Sequence, residues 1–129
     1  IYSYFQAGLN PGPFLIQMQT SPEDASKAIA SIISLLKDIQ DKGVTSAEVA
    51  AAKRSITSQY PVALANPDGL AQTILSNEVY GLGPSEIREF INQIEAVTVD
   101  QVNQSAKELL HPDNLVVVTA GPSVSASTQ

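Results

Sequence analysis

Hydrophobic positions change period along this chain. The first twenty residues hold two strand-like runs, Ile1 to Gln6 and Phe14 to Thr20. In the second run Phe14, Ile16 and Met18 alternate with Leu15, Gln17 and Gln19, the period of two that a pleated strand imposes on its side chains. Between them, Ala7-Gly8-Leu9-Asn10-Pro11-Gly12-Pro13 gathers breakers of regular structure and suits a hairpin loop. From Ser21 the spacing becomes helical. A serine cap, a proline at the first helical position and the acids Glu23 and Asp24 in the first turn start a helix. Ala25, Ala28, Ile29, Ile32, Leu36 and Ile39 fall on its one apolar stripe, and Gly43 supplies the stop.

Four more helical stretches follow. Thr45 and Glu48 form a capping box ahead of Val49, Ala52, Ile56 and Tyr60, with Pro61 expected to kink or end that helix. A third helix opens near Pro67-Asp68, carries Leu70, Ile74 and Val79, and stops around Gly81-Leu82-Gly83. Pro84-Ser85-Glu86 opens a fourth, with Ile87, Phe90, Ile91 and Ile94 on one face. Thr98 and Gln101 make another box before Val102, Ala106, Leu109 and Leu110, and His111-Pro112-Asp113-Asn114 breaks the last helix. Leu115 to Ala120 is β-branched and apolar on both faces, as a central strand is.

The predicted order is therefore two strands, five helices and a strand. It gives an α+β fold of two layers, a small, mostly antiparallel sheet packed under several helices. Ile29, Ile32, Leu36 and Ile39 are expected to face the hairpin together with Val116 and Val118. Residues 123–129 are small and polar and are expected to form a flexible tail. A three-stranded sheet drawn from both chain ends is thin, and Ile1-Tyr2-Ser3-Tyr4-Phe5 reads as a chain opening in mid-strand. Both features suggest a piece of a longer protein.

Composition narrows the chemistry. The 129 residues suffice for one unit or most of one. Apolar residues make up 43% and charged residues 16%, enough for a packed core. Thirteen acids against seven bases leave a net charge of -6, and no basic cluster of the kind that binds nucleic acid is present. No apolar run approaches the roughly 18 residues of a membrane span. Cysteine is absent, which removes disulfides, thiolate ligands and cysteine nucleophiles. The one histidine, His111, precedes Pro112 at a helix end and is expected to be solvated or to meet helix carbonyls. A zinc centre needs three or four ligands, so His111 cannot found one by itself. Glu23-Asp24 and Glu86/Glu89 are acids of first helical turns, where the macrodipole favours them. Lys53-Arg54 is expected on a solvated face or in an intrahelical pair with Glu48. Tyr2, Tyr4 and Phe5 are read first as strand packing. The residues taken alone contain no complete catalytic constellation.

The ordered series of short motifs is more informative. Gly12-x-Phe14 on a strand is followed by Thr20-Ser21-Pro22-Glu23 at a helix start and by Gly43-Val44-Thr45-x-x-Glu48-Val49-x-x-Ala52-Lys53. Then come Gly81-Leu82-Gly83-Pro84-x-Glu86, Ile94-x-Ala96-Val97-Thr98-x-Asp100-Gln101-Val102, Ala106, Leu110-x-Pro112-x-Asn114-Leu115 and Gly121-Pro122. The series resembles the inverzincin zinc peptidases, the pitrilysin, insulin-degrading and mitochondrial-processing-peptidase family. The resemblance implies that residues 1–122 are the C-terminal portion of a single peptidase-family α+β domain, the non-catalytic one. The family's H-x-x-E-H motif and distal glutamate have no counterpart here, so no catalytic, cofactor-binding or metal-ligating residue carries over.

On this resemblance the parent is a zinc metalloendopeptidase and this chain alone is inactive. Zinc sits in a homologous partner domain or subunit, a peptide is the substrate, and the present segment forms chamber wall and scaffold. The family's non-catalytic domain carries an Arg and then a Tyr near this point. One register puts both upstream of Ile1; the other makes Tyr2 the substrate-binding tyrosine. An alternative is a purely structural subunit, resembling the respiratory-complex core proteins. The uncharged aromatic edge Ile1–Phe5, left without neighbours, is also expected to pair two copies into a homodimer.

Overall fold

The computed structural model describes residues 1–6 and 8–122, so the tail expected over 123–129 lies outside the described residues. It contains five helices and a two-stranded antiparallel sheet, an α+β chain that is mostly helical. The chain divides into two compact units. One joins Ile1–Asp41 to the segment from Leu110 onward, and the other is Lys42–Leu109.

In the first unit, strands β1 (Tyr2–Phe5) and β2 (Phe14–Gln17) pair with Tyr2 opposite Gln17 and Phe5 opposite Phe14. The Gln6 N–H donates to the Pro13 carbonyl at 3.0 Å and carries the pairing into the loop. Ser21 then caps a short 3-10 turn, Pro22–Asp24, its hydroxyl accepting from the Asp24 N–H at 3.3 Å. The turn runs directly into α1 (Ala25–Lys42). On α1 the predicted stripe is the less exposed face, with Leu36 buried and Ile29, Ile32 and Ile39 half-buried, but neither strand of the hairpin lies against α1, which corrects the expectation that this stripe packs on the hairpin.

The cover over the end of α1 is the segment after Leu110. Gln40 Nε2 donates to the Leu110 carbonyl at 3.0 Å, Lys37 Nζ meets Asp113 at 2.8 Å, and Pro112 between these anchors is buried. The hydrogen bond and charge of Asp113 raise the Lys37 pKa above its ordinary value. The strand predicted over Leu115–Ala120 does not form, which corrects the expectation that Val116 and Val118 cover the α1 stripe. These two side chains are 92% and 85% exposed. An apolar β-branched run has strand propensity, but a strand exists only where a neighbouring edge accepts its backbone hydrogen bonds. Among the described residues the sheet ends at β1 and β2.

The second unit holds α2 (Ser46–Ala65), α3 (Pro67–Val79), α4 (Glu86–Ala96) and α5 (Val99–Leu109). Helix α2 lies against the other three, and α3 against α4. Both predicted capping boxes form. Thr45 Oγ1 accepts from the Glu48 N–H at 3.3 Å while Glu48 Oε2 accepts from the Thr45 N–H at 2.8 Å. Thr98 and Gln101 repeat the exchange at 3.2 and 2.8 Å. Gly43, at φ 73°, turns the chain into this unit, and Asn103 on α5 holds the turn by accepting from the Val44 N–H at 2.7 Å.

Three local features go beyond what the sequence specified. Helix α2 continues four residues beyond Pro61 and ends at Ala65; the proline removes one ladder bond, and the packing of α2 retains the helix. Lys53 pairs with neither solvent alone nor Glu48. Its Nζ donates to the Glu95 carbonyl at 2.7 Å, placing a cation at the C-terminal end of α4, while Glu48 is committed to Thr45. Helix α3 turns its small and polar residues inward: Leu70, Ile74 and Val79 are 37%, 41% and 53% exposed, whereas Gly69, Thr73, Ser76 and Asn77 are less exposed. The connection from α2 explains this. Asn66 ends α2 and caps α3, its Oδ1 accepting from the Asp68 N–H at 2.9 Å, so the first turn of α3 crosses close to the last carbonyls of α2. Only a glycine fits there.

The capping box gives the second unit a pH response. Hydrogen bonds from the Thr45 backbone and then its side chain lower the Glu48 pKa from the ordinary value of 4.5. A depressed carboxylate pKa stabilises the fold fully above the unfolded value, and that stabilisation is lost as pH falls through the lower, folded value. Amide exchange at Thr45 and Glu48, corrected for its intrinsic pH dependence, is therefore expected to lose protection below pH 4.5. Thr45→Ala should lower the protection at neutral pH and flatten this acid response. A response unchanged in that variant would assign it to another carboxylate.

Candidate functional site

The exposed face of the hairpin carries the predicted site residue. Because side chains alternate along a strand, Tyr2 and Tyr4 lie on one face with Leu15 and Gln17, and Phe5 and Phe14 lie on the other. Phe5 and Phe14 touch, their ring centroids 4.8 Å apart and tilted by 42°. On the first face the Tyr2 and Tyr4 rings stack at 6.0 Å with planes 16° apart. The Tyr2 hydroxyl donates to Gln17 Oε1, and Gln17 Nε2 reaches the Tyr4 hydroxyl at 3.4 Å. Tyr2 remains 61% exposed. The result is a small aromatic platform with a polar rim, held in place by the partner strand. It can offer ring faces and hydroxyls to an extended chain; it has no base, nucleophile or cation.

The acids and the histidine stay apart. Among the described residues no group of three or more His, Asp or Glu side chains is placed to hold a metal ion. His111 is exposed, and its backbone carbonyl accepts from the Asn114 N–H at 2.9 Å, while the neighbouring Leu110 carbonyl is taken by Gln40. Glu23 and Asp24 lie in the 3-10 turn Pro22–Asp24, at the start of α1. The Ser21 hydroxyl donates to Asp24 at 2.7 Å, a capping role.

A second feature was not legible as a site. Helices α2, α3 and α4 border an open cleft of about 360 Å³ lined by Tyr60, Gln72, Asn77, Leu82, Glu86 and Phe90 among others. The Tyr60 and Phe90 rings touch at 4.3 Å. Burial, and then the charge of Glu86, raise the Tyr60 pKa above its ordinary value, so the phenol stays neutral. Glu86, expected only as a dipole acid of α4, thus also faces this cleft. The signal available in the sequence was the polar stripe Thr73, Ser76, Asn77 at helical spacing, which the apolar stripe of the same helix overshadowed.

Comparison with protein families gives a match to part of the chain. The model of the peptidase M16 inactive domain matches residues 1–56, from β1 to the middle of α2. The resemblance read from the sequence therefore holds over that segment, and it is the inactive domain of these peptidases that the segment matches. No curated protein matches the chain, and no solved structure does.

Proposed function

We propose that this chain is a non-catalytic segment of a zinc metallopeptidase-family protein and forms chamber wall and scaffold beside a zinc-bearing homologous domain. The match of residues 1–56 to the M16 inactive domain carries the reading. The exposed Tyr2–Tyr4 stack supports it, because it can offer ring faces and hydroxyls to an extended peptide. In this role Tyr2 contacts the peptide substrate, and zinc and the general base belong to the partner.

The experiment pairs two proteins. The chain alone is expected to retain no stoichiometric zinc after dialysis and to leave a fluorogenic peptide intact. Mixed with the zinc-bearing domain of the same parent, it is expected to restore chelator-sensitive turnover, and Tyr2→Ala should raise KM more than it lowers kcat. A zinc held tightly by the chain alone would overturn the reading. A complex that forms and remains inactive would instead establish the purely structural role.

The chain by itself is also proposed to self-associate through β1, whose residues are all exposed and whose sequence lacks charge and proline. Free strand-edge donors and acceptors favour pairing with another chain, and the net charge of -6 opposes it only within a screening length of about 8–10 Å. Light scattering is expected to show a dimer at high micromolar concentration, and Tyr4→Lys to shift it toward monomer. A wild-type monomer at that concentration would refute the pairing.

A further inference from the structure

The open cleft bordered by α2, α3 and α4 carries a negative charge that no cation answers. Glu86, in the first turn of α4, is half-buried and lines the cleft. Its Oε2 accepts from Gln93 Nε2 at 3.0 Å in a contact open to solvent, so the carboxylate is oriented and still accessible. Its charge raises the Tyr60 pKa, which places the carboxylate within electrostatic reach of the Tyr60 phenol on the opposite wall. Among the described residues no lysine, arginine or histidine is ion-paired to Glu86. Residues 55–87, which supply every lining residue except Phe90, contain no base at all. Arg88 is exposed and does not line the cleft. The start of α4 favours an acid, but a helix terminus carries only about half a charge. A carboxylate accepts several hydrogen bonds, so Glu86 retains capacity beyond Gln93.

The rest of the wall suits an organic cation. The Tyr60 and Phe90 rings touch at 4.3 Å with planes 30° apart, forming an aromatic surface beside the acid. A ring quadrupole attracts a cation held over its face. A guanidinium is planar and weakly hydrated, forks onto a carboxylate and stacks on aromatic rings; an ammonium is compact and strongly hydrated. We propose that this cleft binds a guanidinium group on a short alkyl chain, its N–H groups donating to Glu86, its plane against the Tyr60–Phe90 pair and its chain along Leu82. A neutral group of the same shape leaves the charge of Glu86 unanswered, and an anion is repelled by it. The inference rests on the second unit alone and is independent of any peptidase role.

Ethylguanidinium is the probe, titrated into the full chain labelled with nitrogen-15. The side-chain amide resonance of Gln93 and the ring resonances of Tyr60 and Phe90 are expected to shift saturably. Ethylurea, the uncharged isostere, and butylammonium at equal concentration should produce much smaller shifts. Glu86→Gln keeps an acceptor for Gln93 and removes the charge; it should weaken ethylguanidinium by about tenfold, the equivalent of one hydrogen bond to a charged group. Tyr60→Leu should weaken it by about two- to fivefold. A capped Ala-Arg-Ala peptide separates the sources of the group: tighter binding than ethylguanidinium assigns an arginine of a protein, and equal binding assigns a free small molecule. Both support the site. Resonances that do not move in the millimolar range overturn the proposal, as do equal shifts with ethylurea or preference for butylammonium. Shifts of the same size at every exposed acid overturn it too, because they report a diffuse ion atmosphere. The titration of the unaltered chain decides the matter even where a variant does not fold.

Discussion

Leu36→Ala is expected to lower the unfolding free energy by about 2–4 kcal/mol, the range for truncating a buried leucine whose surroundings close only partly over the cavity. Leu36 is 6% exposed and shares a helix face with Gln40, four residues on, whose amide holds the Leu110 carbonyl. The truncation therefore removes packing at the point where the segment after α5 returns to α1. Leu35→Ala is the internal control. The neighbouring side chain is 59% exposed, and its loss should stay within about 0.5 kcal/mol. Urea titrations followed by far-UV circular dichroism measure both, with an unchanged slope showing that the denatured state is not the cause. A Leu36 variant within about 1 kcal/mol of wild type would place the core of the first unit elsewhere.

Gly69→Ala is expected to destabilise the second unit by about 1–3 kcal/mol, despite the gain in helix propensity of ~1 kcal/mol that alanine brings. A Cβ at this position would lie 2.2 Å from the Ala63 carbonyl oxygen. The obstacle is backbone, so no rotamer change relieves it; α3 must move away from the end of α2. Gly121→Ala has nothing within 4 Å of the added carbon and should be near neutral, within about 0.5 kcal/mol. Thermal melts of the two variants separate the clash from any general effect of replacing glycine. Equal melting temperatures would mean that the α2–α3 junction opens at little cost.

Local signals were sufficient for most elements. The Thr45–Glu48 and Thr98–Gln101 boxes, the Ser21 cap with Pro22 behind it, and Gly43 after Lys42 each act within three or four residues, so their chemistry can be read without knowing the fold. The hairpin is equally local, since a breaker-rich loop brings two short alternating runs together. The motif series legible across residues 1–122 is supported by the family match only over residues 1–56. The scarcity of strong metal ligands, one histidine and no cysteine, is equally direct.

The sequence by itself thus determined five helices, one hairpin and the caps at Ser21, Thr45 and Thr98. Tertiary structure decided three things. It left Leu115–Ala120 without a strand partner, because β propensity is realised only through backbone hydrogen bonds to another strand. It turned the small and polar stripe of α3 inward, because the crossing at Gly69 admits no side chain against the Ala63 carbonyl. That rotation in turn buried Asn77 beside Tyr60, Glu86 and Phe90. Helical periodicity specifies which residues share a face; only the neighbouring helices determine which face is buried.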